Sequence, residues 1–284
     1  MALVLLASAT GSPGVTTSSL LLALTWPRDV VLVDADRIPS QAIESGYLRD
    51  RSSSSPGLIA LAQERRSRVS LTRAVWEQSV RLTDGDQPSR RFLPGFTHPG
   101  ASDLFAPAWE DFAATLADLE SAGVDVVVDA GRIGSGLPTG LVRHADLVMI
   151  ATRTSLRALA ATRLSLPSVM EPVGETAAQA EFGLLIIGPG QPYGESEVAH
   201  QFGVPVLGSL PHDAAAAGFL SDGDGTARKF DRSALLRAGI AVSQRLAQRV
   251  GRRSRVLGDG EPRPAGTGWG LPADPADLGG GVAR

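Results

Sequence analysis

The chain contains no cysteine, which excludes disulfides, thiolate nucleophiles and cysteine-bound metals. Lysine is almost as scarce: Lys229 stands alone, and the remaining 26 basic residues are arginine. No apolar run reaches the roughly 18 residues that a membrane-spanning helix requires. No basic stretch precedes the apolar segment that starts at Leu3, so a signal peptide is not expected and the protein reads as cytoplasmic. A net charge of −3 argues against coating nucleic acid by bulk charge. The four histidines, His98, His144, His200 and His212, form no cluster with metal-ligand spacing and read as surface or packing residues.

Apolar residues make up 43% of the 284 positions, enough for a sizeable core in one large domain. Short β-branched runs alternate with longer stretches of helical spacing. That is the pattern of an α/β fold with a doubly wound, mostly parallel sheet and helices on both faces. Strands are expected at 3–7, 30–34, 91–94, 124–129, 147–151, 184–187 and 206–209, most of them apolar throughout, as central parallel strands should be. Helices are expected at 16–24, 108–121, 156–166, 196–202 and 233–250. The run Arg49-Asp50-Arg51-Ser52-Ser53-Ser54-Ser55-Pro56-Gly57 reads as a mobile loop, followed by one or two helices up to Arg81. Residues 1–252 read as the folded domain and 253–284, dominated by Gly, Pro, Ala and Asp, as a disordered tail. The group Arg245, Arg249, Arg252, Arg253 and Arg255 closes the last helix, where cations complement the helix dipole.

Between the first strand and the first helix lies Ala9-Thr10-Gly11-Ser12-Pro13-Gly14-Val15-Thr16-Thr17. Small residues there let backbone N–H groups close around phosphate oxygens, a lysine neutralises the outer phosphates, and a Ser/Thr hydroxyl serves a magnesium ion. The glycines and the hydroxyl are present and the lysine is not. Gly11, Ser12, Pro13, Gly14, Val15, Thr16 and Thr17 are the candidate phosphate-binding residues, and Pro13 brings one N–H donor fewer. A Gly/Ser-rich turn also occurs at this place in doubly wound folds without phosphate chemistry, so the loop alone leaves both readings open.

Read without gaps, residues 10–17 lie over the deviant Walker A pattern Lys-Gly-Gly-x-Gly-Lys-Thr-Thr. Here the chain resembles the MinD/ParA family of P-loop ATPases. Val31-Leu32-Val33-Asp34-Ala35-Asp36 is similar to the family's second strand ending in Asp-x-Asp. Asp125-Val126-Val127-Val128-Asp129-Ala130-Gly131 is similar to its Walker B and switch II segment, and residues 145–156 to the strand and loop that follow. Gly203-Val204-Pro205-Val206-Leu207-Gly208-Ser209-Leu210-Pro211-His212-Asp213 resembles the late strand and the Pro-x-Asp turn beside the adenine. These segments span most of residues 2–250 in family order.

The resemblance implies a P-loop fold, ATP or ADP with magnesium as ligand, a protein partner, a homodimer, and a role in positioning, partition or secretion and pilus assembly. It places Thr16 and Asp129 on the magnesium ion, Asp36 on the attacking water, and Pro211 and Asp213 beside the base. Two departures fall on the chemistry, because the family's signature lysine is here Thr10 and its Walker lysine is Val15. Losing such a cation costs roughly 3 kcal/mol or more of transition-state stabilisation. Arg132, directly after the switch II segment, is the candidate substitute cation, since a guanidinium clamps phosphate oxygens bidentately. The family's base-contacting Asn is replaced by Gly188-Pro189-Gly190. Three functions remain open at this point: a regulatory nucleotide binder with weak or absent hydrolysis, a scaffold that binds no nucleotide, and an active ATPase using an arginine. Asp34, Asp36 and Asp129 at strand ends can also serve as helix or turn caps.

Overall fold

The structure is a computed structural model that describes residues 2–11, 14–49, 55–64, 71–85, 87–98, 100–175 and 180–258. Its strands are β1 (Leu3–Ser8), β2 (Val30–Asp34), β3 (Val80–Arg81), β4 (Arg90–Leu93), β5 (Asp125–Arg132), β6 (Leu147–Arg153), β7 (Glu181–Ile187) and β8 (Val206–Leu210). The first six helices are α1 (Val15–Thr25), α2 (Ala42–Ser45), α3 (Leu58–Glu64), α4 (Leu71–Gln78), α5 (Ala101–Phe105) and α6 (Trp109–Asp118). They are followed by α7 (Thr139–His144), α8 (Leu156–Glu175), α9 (Glu195–Phe202), α10 (Ala214–Ser221), α11 (Ala227–Phe230) and α12 (Ala234–Gly258).

The eight strands form one sheet in the order β3-β4-β2-β5-β1-β6-β7-β8, parallel except for the β3–β4 edge pair. This is the expected doubly wound α/β sheet. The central strands are apolar at consecutive positions because helices cover both faces. Val4, Leu6, Leu32 and Val127 point to one core with Trp26 and the inner faces of α1 and α12. Leu3, Leu5, Val126 and Val128 point to the other, where Phe96, Phe105, Trp109 and Phe112 meet edge to face. No helix among the described residues is long and apolar enough to cross a membrane.

At the amino edge of the sheet two carboxylates fix the first strand. Asp125, fully buried at the start of β5, accepts the Ala2 N–H at 2.7 Å and the Trp26 indole N–H at 2.6 Å. It also accepts the Arg28 guanidinium at 2.7 Å. Asp146, just before β6, accepts the Leu3 N–H at 2.7 Å. The strand that must deliver the candidate loop is therefore held on both sides before it enters the sheet.

The differences from the sequence reading have local causes. β3 is a two-residue edge strand, too short for any alternation to show, and it takes Arg81 out of the helical stretch expected there. The short helices α5, α7, α10 and α11 lack the length over which periodicity becomes legible. Helix α8 passes Pro167 instead of stopping before it. Pro167 is exposed, so the carbonyl left without a donor is open to water, while buried Leu166 and Val169 hold the next turn on the core. Helix α12 continues to Gly258, beyond the boundary at 252; Arg249 pairs with Glu181 at the start of β7. Residues 50–54 of the expected mobile loop and 259–284 of the expected tail lie outside the described residues.

Asp125→Ala removes one acceptor from three donor groups, one of them charged. It should cost about 3 kcal/mol or more in urea denaturation, with Asp125→Asn losing less. A loss below about 1 kcal/mol for the alanine variant would contradict this role for the carboxylate.

Candidate functional site

The carboxyl ends of β1, β2, β5 and β6 open into one cavity of about 560 Å³. Ligands bind at this edge in open α/β sheets, where the strand order reverses. Helix α1 starts on its rim. Gly14 precedes it at φ 99, a left-handed conformation suited to glycine, and its Cα faces open space. No acidic residue occupies the first turn of α1 and no side chain caps it, so the positive end of its dipole faces the cavity uncompensated from within the helix.

Three carboxyls crowd the same edge. Burial raises Asp34 well above the ordinary carboxylate range, reinforced by the charge of Asp129, against the Asp36 N–H that it accepts at 3.1 Å. Burial likewise pushes Asp129 up to about 6, opposed first by the Thr16 hydroxyl and then by the Gly131 N–H at 2.9 Å. Its second oxygen, Oδ2, is buried and has no hydrogen-bond partner among the described residues. Asp36 is also raised by burial, offset by the Ile38 N–H and by the charges of Arg132 and Arg37. Its carboxylate lies so close to Gly131, at φ 60, that no side chain fits there.

Arg132 closes the site from the end of β5. Its guanidinium lies directly over Gly11, with Cζ 2.9 Å from where a Cβ on that residue would stand. The exposed arginine therefore covers the backbone at Gly11 of the lysine-free loop. Behind it, Arg37 donates to the carbonyls of Ile133 at 2.8 Å and Gly136 at 2.6 Å, joining the segment after β2 to the segment after β5.

Of the residues expected at the site, Gly14, Val15, Thr16 and Thr17 line the cavity, as do Asp36, Arg132, Pro211 and Asp213. Asp213 in addition caps α10 by accepting the Ala216 N–H at 3.1 Å. Gly11 lies under Arg132, Asp129 lies buried beside Thr16, and Ser12 and Pro13 fall outside the described residues. The sequence reading did not include Arg153, Ser40 or Leu235, which also line the cavity. Arg153 carried a usable signal, a lone charge at the carboxyl end of a strand otherwise uncharged. His212 was expected as a surface or packing residue, and it too borders the cavity.

The chain aligns with solved structures over most of its length. A chain of the MinC:MinD cell division complex from Aquifex aeolicus matches with a TM-score of 0.66 at 14% identity, covering 87% of this chain and 96% of that one. The cell division ATPase MinD of Pyrococcus furiosus matches with 0.64 at 18% identity, covering 87% and 99%. The fold is that of the MinD and ParA ATPases. It is shared by cobyrinic acid a,c-diamide synthase from Mycobacterium smegmatis, whose structure holds an ATP analogue and magnesium, with a TM-score of 0.60 at 18% identity over 86% and 93% of the two chains. No protein-family model and no curated protein sequence matches the chain.

The donor set suits the magnesium ion that the MinD/ParA fold implies. The orphaned Oδ2 of Asp129 and the adjacent Thr16 hydroxyl are the hard oxygen ligands such an ion takes. Among the described residues no group of three acidic or histidine side chains could hold a metal, so an ion here would depend on phosphate oxygens as well.

Because burial lifts Asp129 from 3.8 to about 6, the folded protein keeps a proton that the unfolded chain releases between those values. Stability from this carboxyl is full below about pH 4 and is lost as pH rises through about 6. Asp129→Asn should remove that loss, gaining up to about 3 kcal/mol near pH 7.5 in metal-free buffer. Denaturant unfolding of both proteins from about pH 4 to 8 measures it; an unchanged pH slope in the variant would contradict the assignment.

Proposed function

We propose that the protein is a nucleotide-binding regulatory member of the MinD/ParA type, taking ATP or ADP with magnesium and hydrolysing weakly or not at all. The observation that carries this reading is the guanidinium of Arg132 laid over Gly11, a positive charge at the loop from which both lysines are missing. The phosphates would sit against the start of α1 and Arg132, and the base against the apolar wall of Ile187, Leu210, Pro211 and Leu235. Thr16 and Asp129 would hold magnesium, which when bound offsets phosphate charge.

Asp36 stands beside Arg132 at the mouth of the cavity and would orient an attacking water. Turnover is limited because an arginine reaching in from β5 does not reproduce a lysine fixed in the loop itself, and a displaced charge of this kind forfeits about 3 kcal/mol or more. The function that follows is a switch. Occupancy sets the segments around Asp36 and Gly131, which are tied together through Arg37, and thereby the surface shown to a second copy and to a protein partner. Positioning, partition, or secretion and pilus assembly are the processes such a device serves. A scaffold that binds no nucleotide is the second reading, favoured by the charge of Arg132 offsetting Asp36.

Thermal unfolding with ATP or ADP plus magnesium separates the two. A ligand at 100 times its Kd adds about 2.7 kcal/mol, a gain expected for the unaltered protein and absent in Arg132→Ala. No gain for the unaltered protein at millimolar nucleotide would establish the scaffold. Phosphate release should be slower than about 1 per second and should vanish in Asp36→Ala; faster turnover would make the protein an ordinary ATPase.

A further inference from the structure

The cavity has a second guanidinium that the lysine-free loop does not account for. Strand β1 ends at Ser8 between β5 and β6. Ser8 pairs with Arg132 on one side and with Ala151 on the other, and two residues beyond Ala151 stands Arg153, the last residue of β6. Both arginines are exposed residues and both line the cavity. Their strands are separated by β1 alone, two strand spacings or about 10 Å, a span within the combined reach of two arginine side chains.

The backbone under each is fixed. Next to Arg132, the Ile133 N–H donates to the Ser8 carbonyl at 2.9 Å and Arg37 holds the Ile133 carbonyl. On either side of Arg153, Thr152 and Thr154 are fully buried. Thr152 accepts from Thr162 at 2.9 Å, and Thr154 donates to the Gly188 carbonyl and accepts the Gln191 N–H, both at 3.2 Å. These bonds hold the main chain under both arginines in place, so binding orders their side chains alone.

We infer that Arg132 and Arg153 form a two-sided clamp across the end of β1, and that its ligand is the phosphate chain of a nucleoside di- or triphosphate. The inference rests on the nucleotide reading and deepens it. One guanidinium answers a single phosphate; a pair astride the loop selects for chain length.

Calorimetric titration of the full chain with AMP, ADP, ATP and inorganic tripolyphosphate tests this, using the unaltered protein, Arg153→Ala and Arg153→Lys. Arg153→Ala should weaken ATP and ADP by about tenfold or more while AMP changes little, and Arg153→Lys should recover part of the loss. Tripolyphosphate weaker than ATP identifies a nucleotide site; tripolyphosphate equal to ATP would overturn the nucleoside part of the assignment. If the unaltered protein binds ATP but Arg153→Ala binds it equally well, or loses AMP and ATP alike, the clamp is refuted and the nucleotide reading stands. If the unaltered protein binds none of the four, the nucleotide reading falls and the clamp falls with it.

Discussion

The placement of β1 between β5 and β6 governs this molecule. A strand buried on both faces is specified in register only weakly by its own apolar side chains, since Leu3, Val4, Leu5 and Leu6 fit a core almost interchangeably. The decision falls to Asp125 and Asp146, which take the N–H groups of Ala2 and Leu3. Their two strands carry a carboxylate at or next to the amino end and an arginine at the carboxyl end. Fixing the start of β1 against them therefore also fixes how far the following loop stands from Arg132 and Arg153. The polar groups at one edge of the sheet set the geometry of the other.

Much of this fold was legible in the sequence because a doubly wound sheet writes itself in long apolar runs. The seven expected strands are all present, and their ends agree to within a few residues. What escaped was either too short to show a period, as with Val80–Arg81 and Ala227–Phe230, or contradicted a local rule that tertiary packing overrode, as with Pro167. Asp125 was read as part of a motif. Its burial and its indole and guanidinium partners are long-range facts that no spacing encodes.

The candidate site was legible in a different way. Gly14, Thr16, Asp36 and Asp129 stood in a recognisable order, and the structure brings them to one edge of the sheet. Arg132 was singled out by its neighbours in sequence; Arg153 offered a strand-end signal, but its relation to Arg132 needed the sheet order, which puts the two on either side of β1. Folds related to this one include a cell division protein and a diamide synthase, so the architecture does not choose a chemistry. What the sequence adds is a loop without lysine, and the structure sets the Arg132 guanidinium over its Gly11.

The bridge made by Arg37 reaches beyond the cavity. One guanidinium grips carbonyls on a different segment of chain, and the residue immediately after it, Ile38, turns a large apolar side chain outward, 59% exposed. Ile38 also lines the cavity, so the residue next to the bridge belongs to both the pocket wall and the outer surface. A bond that joins two loops thus ends one residue short of an apolar patch at the rim, and the inside and outside of the pocket share one short stretch of chain.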